Sequence, residues 1–349
     1  MKIASAASAL PEHQYDQRVL LAALRDYWGA RLDNPLFLER LHARVGVETR
    51  HLALPMEAYY DIQTWGQANN HWIDAALNLS EKALTLALQR SGLDSSRLGA
   101  IFFVSVTGIA SPSIEARLMN RMNLPVNIKR VPIFGLGCVA GAAGVARAAD
   151  YVRAFPDQVA AIISVELCSL TLQHDDLSIA NLISSGLFGD GAGVALVAGS
   201  EVPCDGPRVI DTRSVFYPNT EQVMGWDISE KGFRIVLSRE VPVVVEQNLA
   251  ADVDAFLASN NLNRAGIGNW ILHTGGPRVL EATQAALQLP EGALDASWHC
   301  LRKTGNLSSA SVLLVLEETL LHRRPSPGTY SLMAAMGPAF CSELLLLQW

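Results

Sequence analysis

The chain has 349 residues, of which 50% are hydrophobic and 17% charged, with a formal net charge of −7. That length and apolar content support a large buried core in one large or two medium domains, while an acidic balance without clustered Lys and Arg excludes a nucleic-acid binder. The five cysteines, Cys138, Cys168, Cys204, Cys300 and Cys341, form no CxxC pair, so neither a disulfide framework nor a metal site is expected, and a reducing cytoplasmic setting fits.

The opening MKIASAASALPEH is too short and serine-rich in its apolar part for a signal peptide and reads as a first strand. Helical spacing follows from Leu20 to Trp28 and from Pro35 to Arg44, with Arg50 and His51 expected in a turn. The arginines here read as solvated surface or as a positive rim for a phosphorylated ligand. Asp74 to Arg90 is an amphipathic helix closed by Gly92. The tetrad Gly92-Leu93-Asp94-Ser95 looks like a carrier-arm attachment site but precedes a buried strand rather than a helix, so an ordinary turn is expected.

Buried strands are expected at Ala100 to Val106 and Val159 to Val165, and LFGDGAGVALVAG (187–199) is a glycine turn feeding another. The glycines of that turn lack the Lys-Ser/Thr pair of a phosphate loop. A soft boundary at 203/204 divides the chain into halves 1–203 and 204–349. The second half opens with a hairpin-like passage, Arg208 to Leu237, and a long helix, Val241 to Ser259. A strand ending at His273, a helix Arg278 to Leu287, a helix Val312 to Leu321 and strands Tyr330 to Met336 and Ser342 to Leu347 complete it. No apolar run reaches the length of a membrane span.

The most informative stretch is VPIFGLGCVAGAAGVARAADYVRAF (131–155), an apolar strand whose Gly135-Leu136-Gly137 turn delivers Cys138 to a helix of small residues. Glycines at 141 and 144 are poor helix formers, so close packing must hold that helix. A cysteine at a helix start is favoured as a thiolate, lowering its pKa and making a nucleophile. The second half echoes this arrangement. Thr107-Gly108 precedes Cys138 by the distance, within about one residue, at which Thr274-Gly275 precedes Asn306. Such a duplication predicts layered, pseudo-twofold halves with Cys138 and Asn306 on facing elbows and His273 between them.

A convergent cysteine, histidine and asparagine define a thiol acyl-transfer site. The residues leave two pairings open. Either Asn orients a His base, as in a hydrolase, or His and Asn both donate to a thioester oxygen and stabilise the enolate formed as a malonyl group loses CO2.

GLGCVAGAAG (135–144), SSGLFGDGAGVALV (184–197), WILHTGGPRVLEA (270–282), TGNLSSASVLLVLEE (304–318) and Met336-Gly337-Pro338 resemble the type III polyketide synthases, the chalcone-synthase-like branch of the thiolase superfamily. The resemblance implies an α/β, five-layered αβαβα thiolase-like fold, a homodimer, and acyl-CoA and malonyl-CoA as substrates without carrier protein or cofactor. It places the nucleophile on Cys138 and its partners on His273 and Asn306, with Phe188 and Ile235 as gatekeepers at the mouth between CoA tunnel and cavity. Cavity positions fall on Val106, Thr107, Cys168, Thr171, Gly225, Ser308 and Pro338, and CoA-phosphate positions on Arg40 and Arg44, with Phe37 at a third. Ser111 stands where a partner subunit usually inserts methionine. Chalcone-forming members mostly have threonine where this chain has Val106 and Cys168, and with Ser111 these departures imply a differently shaped, more apolar cavity than a chalcone-forming one. The surroundings of Cys138 resemble bacterial members that extend fatty acyl starters to alkylpyrones or alkylresorcinols. The rival readings are a single-condensation β-ketoacyl-carrier-protein synthase III, a thiol hydrolase and a non-catalytic dimeric scaffold of the same fold.

Overall fold

The computed structural model describes residues 1–32 and 34–349. In chain order the first half contains β1 (Lys2–Ala9), β2 (His13–Asp16), α1 (Gln17–Trp28), α2 (Pro35–His42), β3 (Thr49–Leu52), α3 (Trp65–Ser91) and β4 (Leu98–Val104). It continues with α4 (Ile114–Arg121), β5 (Lys129–Ile133), α5 (Ala140–Ala154), β6 (Val159–Leu167), α6 (Ile179–Leu187) and β7 (Asp190–Ala198). The second half contains β8 (Arg208–Phe216), β9 (Met224–Ser229), β10 (Gly232–Leu237), α7 (Val241–Ser259), β11 (Ile267–Leu272) and α8 (Pro277–Leu287). It ends with α9 (Asp295–Thr304), α10 (Ser311–His322), β12 (Tyr330–Gly337) and β13 (Cys341–Gln348).

Nine strands run in the order β11-β12-β13-β8-β1-β7-β6-β4-β5. The two halves of this sheet meet only at β1 and β8, through the single pair Lys2 and Arg208. On one side β4 is parallel to β5 and β6, and β7 is antiparallel to β6 and β1. On the other, β11 is parallel to β12, and β13 runs antiparallel to β12 and β8. β6 and β7 are buried at every position, which is why both read as unbroken apolar runs.

Helices α5 and α10 lie between the half-sheets. Their buried residues share one core with strand residues from both sides, among them Ala160, Ile162, Met333 and Leu345. Helix α3 covers the outer face of the first half-sheet and α7 and α8 that of the second, each over its own apolar cluster. The layers are therefore α3, half-sheet, α5 with α10, half-sheet, and α7 with α8, the five-layered αβαβα arrangement of a thiolase-like fold. Being wrapped on both faces explains the composition of α5. A Cβ on Gly141 would sit 2.1 Å from the Ser309 carbonyl oxygen, so a larger residue would push the two central helices apart.

Several boundaries differ from the sequence reading. α3 begins at Trp65 rather than near Asp74, because Thr64 and Gln67 form a reciprocal capping box; Gly92 ends it in a left-handed conformation, as expected. Arg50 and His51 are not in a turn. They lie on β3, where Tyr15 pairs with Arg50, and Arg50 is buried rather than solvated. The passage 208–237 divides, since β8 joins the large sheet and only β9 and β10 form a hairpin. The helices α4, α6 and α9 were not anticipated.

Candidate active site

The chain presents Cys138 in a single 3-10 turn, Gly137–Val139, between β5 and α5. Gly137 is required there twice over. Its φ of 55° lies in the left-handed region, and a Cβ would stand 2.5 Å from Pro338 Cδ. Asn306 occupies the matching elbow in the second half, between α9 and the 3-10 turn Ser308–Ala310 that leads into α10. A helix, not a strand, leads into this elbow, so the duplication is preserved downstream of the functional residue and lost upstream of it.

Asn306 is pinned on both sides. Its backbone N–H donates to Leu187 O (2.9 Å) and its carbonyl accepts from Gly189 N (3.0 Å), bridging it to Phe188. Its side-chain Oδ1 accepts from Ser308 N (2.8 Å) and Ser311 Oγ (3.3 Å), which leaves the Nδ2 hydrogens as the free donors. His273 follows β11, its N–H donating to Ala334 O at 3.0 Å. Its Nδ1 is buried without a hydrogen-bond partner among the described residues.

Cys138, His273 and Asn306 line one chamber of about 1920 Å³, measured out to its open mouth. Its walls are apolar, from Leu187, Met224, Val245, Leu249 and Phe340 among others. Burial pushes the Cys138 thiol up to about 12, against a smaller downward pull from its contact with Ser308 Oγ at 3.5 Å. Burial likewise pulls His273 down to about 4. Both shifts favour the neutral thiol and the neutral imidazole, against the pull toward thiolate expected from a helix start. The dry surroundings outweigh the helix dipole.

Beside the elbow lies a buried carboxylate. Glu166 accepts from Val106 N (3.2 Å), Thr107 Oγ1 (2.9 Å), Ser105 Oγ (3.3 Å) and Ser309 Oγ. Its carboxyl is nonetheless raised to about 7, because desolvation exceeds what these donors return. Val106 and Thr107, expected to shape the cavity, are thus committed to Glu166 and line neither of the chambers described here. Gly225 and Pro338 do not line them either. They sit together behind the Cys138 turn, a Cβ on Gly225 lying 4.0 Å from Pro338 Cβ.

A second chamber, about 910 Å³ measured out to its opening, is lined by Cys168, Thr171 and Ile235, with Leu20, Leu24, Tyr59 and Trp226. Among the described residues Phe188 is the one that lines both chambers. Ile235, the second gatekeeper position of the sequence reading, lines this inner chamber together with Phe188, from the β9–β10 hairpin whose alternate residues point to opposite sides.

At the mouth of the first chamber Phe37 and Arg44 are present, while Arg40, also on α2, stays outside the lining. Arg239 and Arg278 join Arg44 at the mouth, and all three are exposed and free of salt bridges among the described residues. Neither Arg239 nor Arg278 was singled out from the sequence, although Arg278 follows His273 by only five residues. Ser111 is exposed. Among the described residues no group of three or more His, Cys, Asp or Glu could hold a metal ion, and no helix is long and apolar enough to cross a membrane.

Comparison with known proteins agrees with this geometry. Residues 38–202 match the family described as chalcone and stilbene synthases, N-terminal domain, and residues 209–348 match its C-terminal domain. The chain is 47% identical over 350 aligned residues to a 1,3,6,8-tetrahydroxynaphthalene synthase from Streptomyces peucetius subsp. caesius, covering 99% of this chain and 93% of the relative. It is 30% identical to a phloroglucinol synthase from Pseudomonas fluorescens, covering 97% and 96% respectively. The crystal structure of a 1,3,6,8-tetrahydroxynaphthalene synthase from Streptomyces coelicolor A3(2) superposes with a TM-score of 0.95 at 29% identity, covering 100% of this chain and 99% of that one.

Proposed function

Because the chain belongs to the chalcone and stilbene synthase family, the type III polyketide synthases, which are acyltransferases, we propose that it condenses malonyl units onto an acyl group held on Cys138 and cyclises the product to a polyhydroxylated arene. The observation that carries this reading is the meeting of Cys138, His273 and Asn306 in one largely apolar chamber that Arg44, Arg239 and Arg278 also line. Three guanidinium groups without a salt bridge among the described residues suit the phosphates of a CoA thioester, and a pantetheine arm then reaches inward.

In this mechanism His273 takes the Cys138 proton as the sulfur attacks the starter thioester, and returns it to the departing CoA thiolate. The starter is now a Cys138 thioester. Malonyl-CoA enters next, its thioester oxygen facing His273 and the Asn306 Nδ2 hydrogens. Loss of CO2 leaves an enolate whose negative charge those two donors stabilise as it forms. Its carbon attacks the Cys138 thioester, making the carbon–carbon bond and releasing the thiolate for the next round. The electron pair comes from the broken carbon–carbon bond, so neither metal nor cofactor is needed. Apolar walls keep water from protonating the carbanion or hydrolysing the thioester. The protein acts as a cytoplasmic homodimer on free CoA thioesters, without a carrier protein.

The products for which these relatives are named, tetrahydroxynaphthalene and phloroglucinol, are arenes without an alkyl tail, which favours malonyl-CoA as both starter and extender. A fatty acyl starter leading to an alkylpyrone or alkylresorcinol is the second reading. The apolar inner chamber supports it, since Leu20, Leu24, Leu172 and Trp226 could enclose an acyl tail. One experiment decides between them. The purified protein is incubated with malonyl-CoA alone and with acyl-CoAs of graded length, products are weighed by mass spectrometry, and Cys138→Ala serves as control. Arenes from malonyl-CoA alone support the first reading, and growth only on long acyl starters supports the second. A single extension, or hydrolysis without growth, would refute both.

A further inference from the structure

Arg50 is a cation held almost entirely inside the protein, 4% exposed, with no salt bridge among the described residues. The nearest carboxylate, Asp190, is already engaged by Ala53 N (2.7 Å), Ser169 N (2.8 Å) and Ser169 Oγ. Burial lowers the Arg50 guanidinium to about 10, with Asp190 drawing it back up, so it is still charged at neutral pH. A buried charge is expensive unless its donors are used, and these donors go to the gate. Nη1 donates to Phe188 O at 2.8 Å and Nε to Gln17 Oε1 at 3.0 Å. Gln17 in turn donates from Nε2 to Gly186 O at 2.9 Å.

Both carbonyls lie at the C-terminal end of α6, where helix carbonyls lack partners of their own and a positive charge is favoured. The contact is also placed to matter. Among the described residues Phe188 alone lines both chambers, and its backbone is also bridged to Asn306. The segment 186–189 is thus held from two directions, by the Asn306 elbow and by the Arg50–Gln17 pair, which β3 and the first residue of α1 carry.

We propose that Arg50, oriented by Gln17, is a positioning residue for the gate, fixing Phe188 between the chambers and thereby setting how far the product chain grows. The proposal rests on the polyketide reading given above. Each condensation lengthens the chain by two carbons at the Cys138 chamber, and a long chain must pass Phe188 to find room in the inner one. With its carbonyl untethered, the Phe188 ring samples the opening and chains are released early.

The test uses the full-length protein with malonyl-CoA, and wild-type chain growth is its control: no growth there sinks the polyketide reading and not the gate. Gln17→Leu removes the acceptor that orients Arg50 and touches neither Phe188 nor the catalytic chamber. Its ratio of short to full-length products should rise on the order of tenfold, the scale of one lost charge-assisted hydrogen bond. The kcat and KM for malonyl-CoA decarboxylation should stay as in wild type. Arg50→Lys, a point charge unable to reach both acceptors, should shift the ratio further in the same direction. If that variant does not fold, Gln17→Leu decides alone. In a Phe188→Ala background the Gln17→Leu shift should disappear, because the two act through one element. An unchanged ratio in folded variants, a parallel loss of decarboxylation and growth, or an undiminished shift in the Phe188→Ala background would each overturn the proposal.

Discussion

Replacing Gly141 by alanine tests whether the close approach of the central helices sets the geometry of the site. The new Cβ would stand 2.1 Å from Ser309 O and 2.8 Å from Val312 Cγ1. A carbon–oxygen contact needs about 3.3 Å, so α5 and α10 must separate by roughly 1 Å. Neither has room to retreat, since each backs onto a half-sheet in the same core. Overpacking of this kind costs about 3 kcal/mol, and the better helix propensity of alanine returns about 1 kcal/mol, leaving a loss of about 2 kcal/mol. The separation falls where Ser308 touches Cys138 and fixes Asn306. A 1 Å displacement there should slow acylation of Cys138 about a hundredfold. Urea unfolding gives the first quantity and single-turnover acylation, followed by intact-protein mass, gives the second. Gly29→Ala is the control, because nothing lies within 4 Å of its Cβ and its φ is −54°; it should be neutral or slightly stabilising. A Gly141→Ala protein of wild-type stability and acylation rate would refute the reasoning.

Three further outcomes follow from the same geometry. Cys138→Ala should abolish chain growth while malonyl-CoA decarboxylation persists, and His273→Ala or Asn306→Ala should slow decarboxylation about a hundredfold or more, measured by CO2 release. Arg278→Ala with Arg239→Ala should raise KM for malonyl-CoA about tenfold at nearly constant kcat, whereas Arg40→Ala should change little, as read from initial rates. The fourth concerns pH. Glu166 is raised from 4.5 to about 7 in the folded protein, so between those values the unfolded chain ionises while the folded one keeps its proton, and stability falls as pH rises. At about 1.4 kcal/mol per pH unit the loss is about 3 kcal/mol by neutrality. Below pH 4.5 the carboxyl is protonated in both states and the penalty is absent. Urea unfolding of wild type and Glu166→Gln at about pH 5 and about pH 8 should therefore show the variant losing less stability across that interval; parallel profiles would contradict the assignment.

The elements that could be read from the sequence were those whose burial is uniform or strictly periodic. β6, β7 and α7 stand where their apolar patterns place them, and the repeated glycine elbows disclosed two facing loops. Composition misleads where function needs polarity inside. Arg50 reads as surface because arginine usually is, and nothing local in the sequence reveals that its partners are Gln17 and the Phe188 carbonyl, 33 and 138 residues away. α9 hides its apolar face among Asp295, His299, Arg302 and Lys303. The division of the cavity by Phe188 depends on side-chain volumes from several elements, and the position of Ile235 on hairpin register, neither of which a single sequence encodes locally.

The same burial accounts for what looked like a conflict over Cys138. A helix start favours thiolate, yet the chamber raises the thiol and lowers the imidazole, so burial favours the uncharged pair. For the proposed cycle this is an advantage. His273 must accept a proton during loading and donate a hydrogen bond during decarboxylation, and a permanent ion pair with Cys138 would commit it to one role. Its Nδ1 has no partner among the described residues, so no carboxylate locks the tautomer and the ring can present its other nitrogen to the chamber as either acceptor or donor. Asn306 is the complement. Its acceptor is consumed by Ser308 and Ser311, so it can only donate. One adaptable group and one fixed donor lining the same chamber as the Cys138 sulfur are what the proposed alternation of acyl transfer and enolate formation requires.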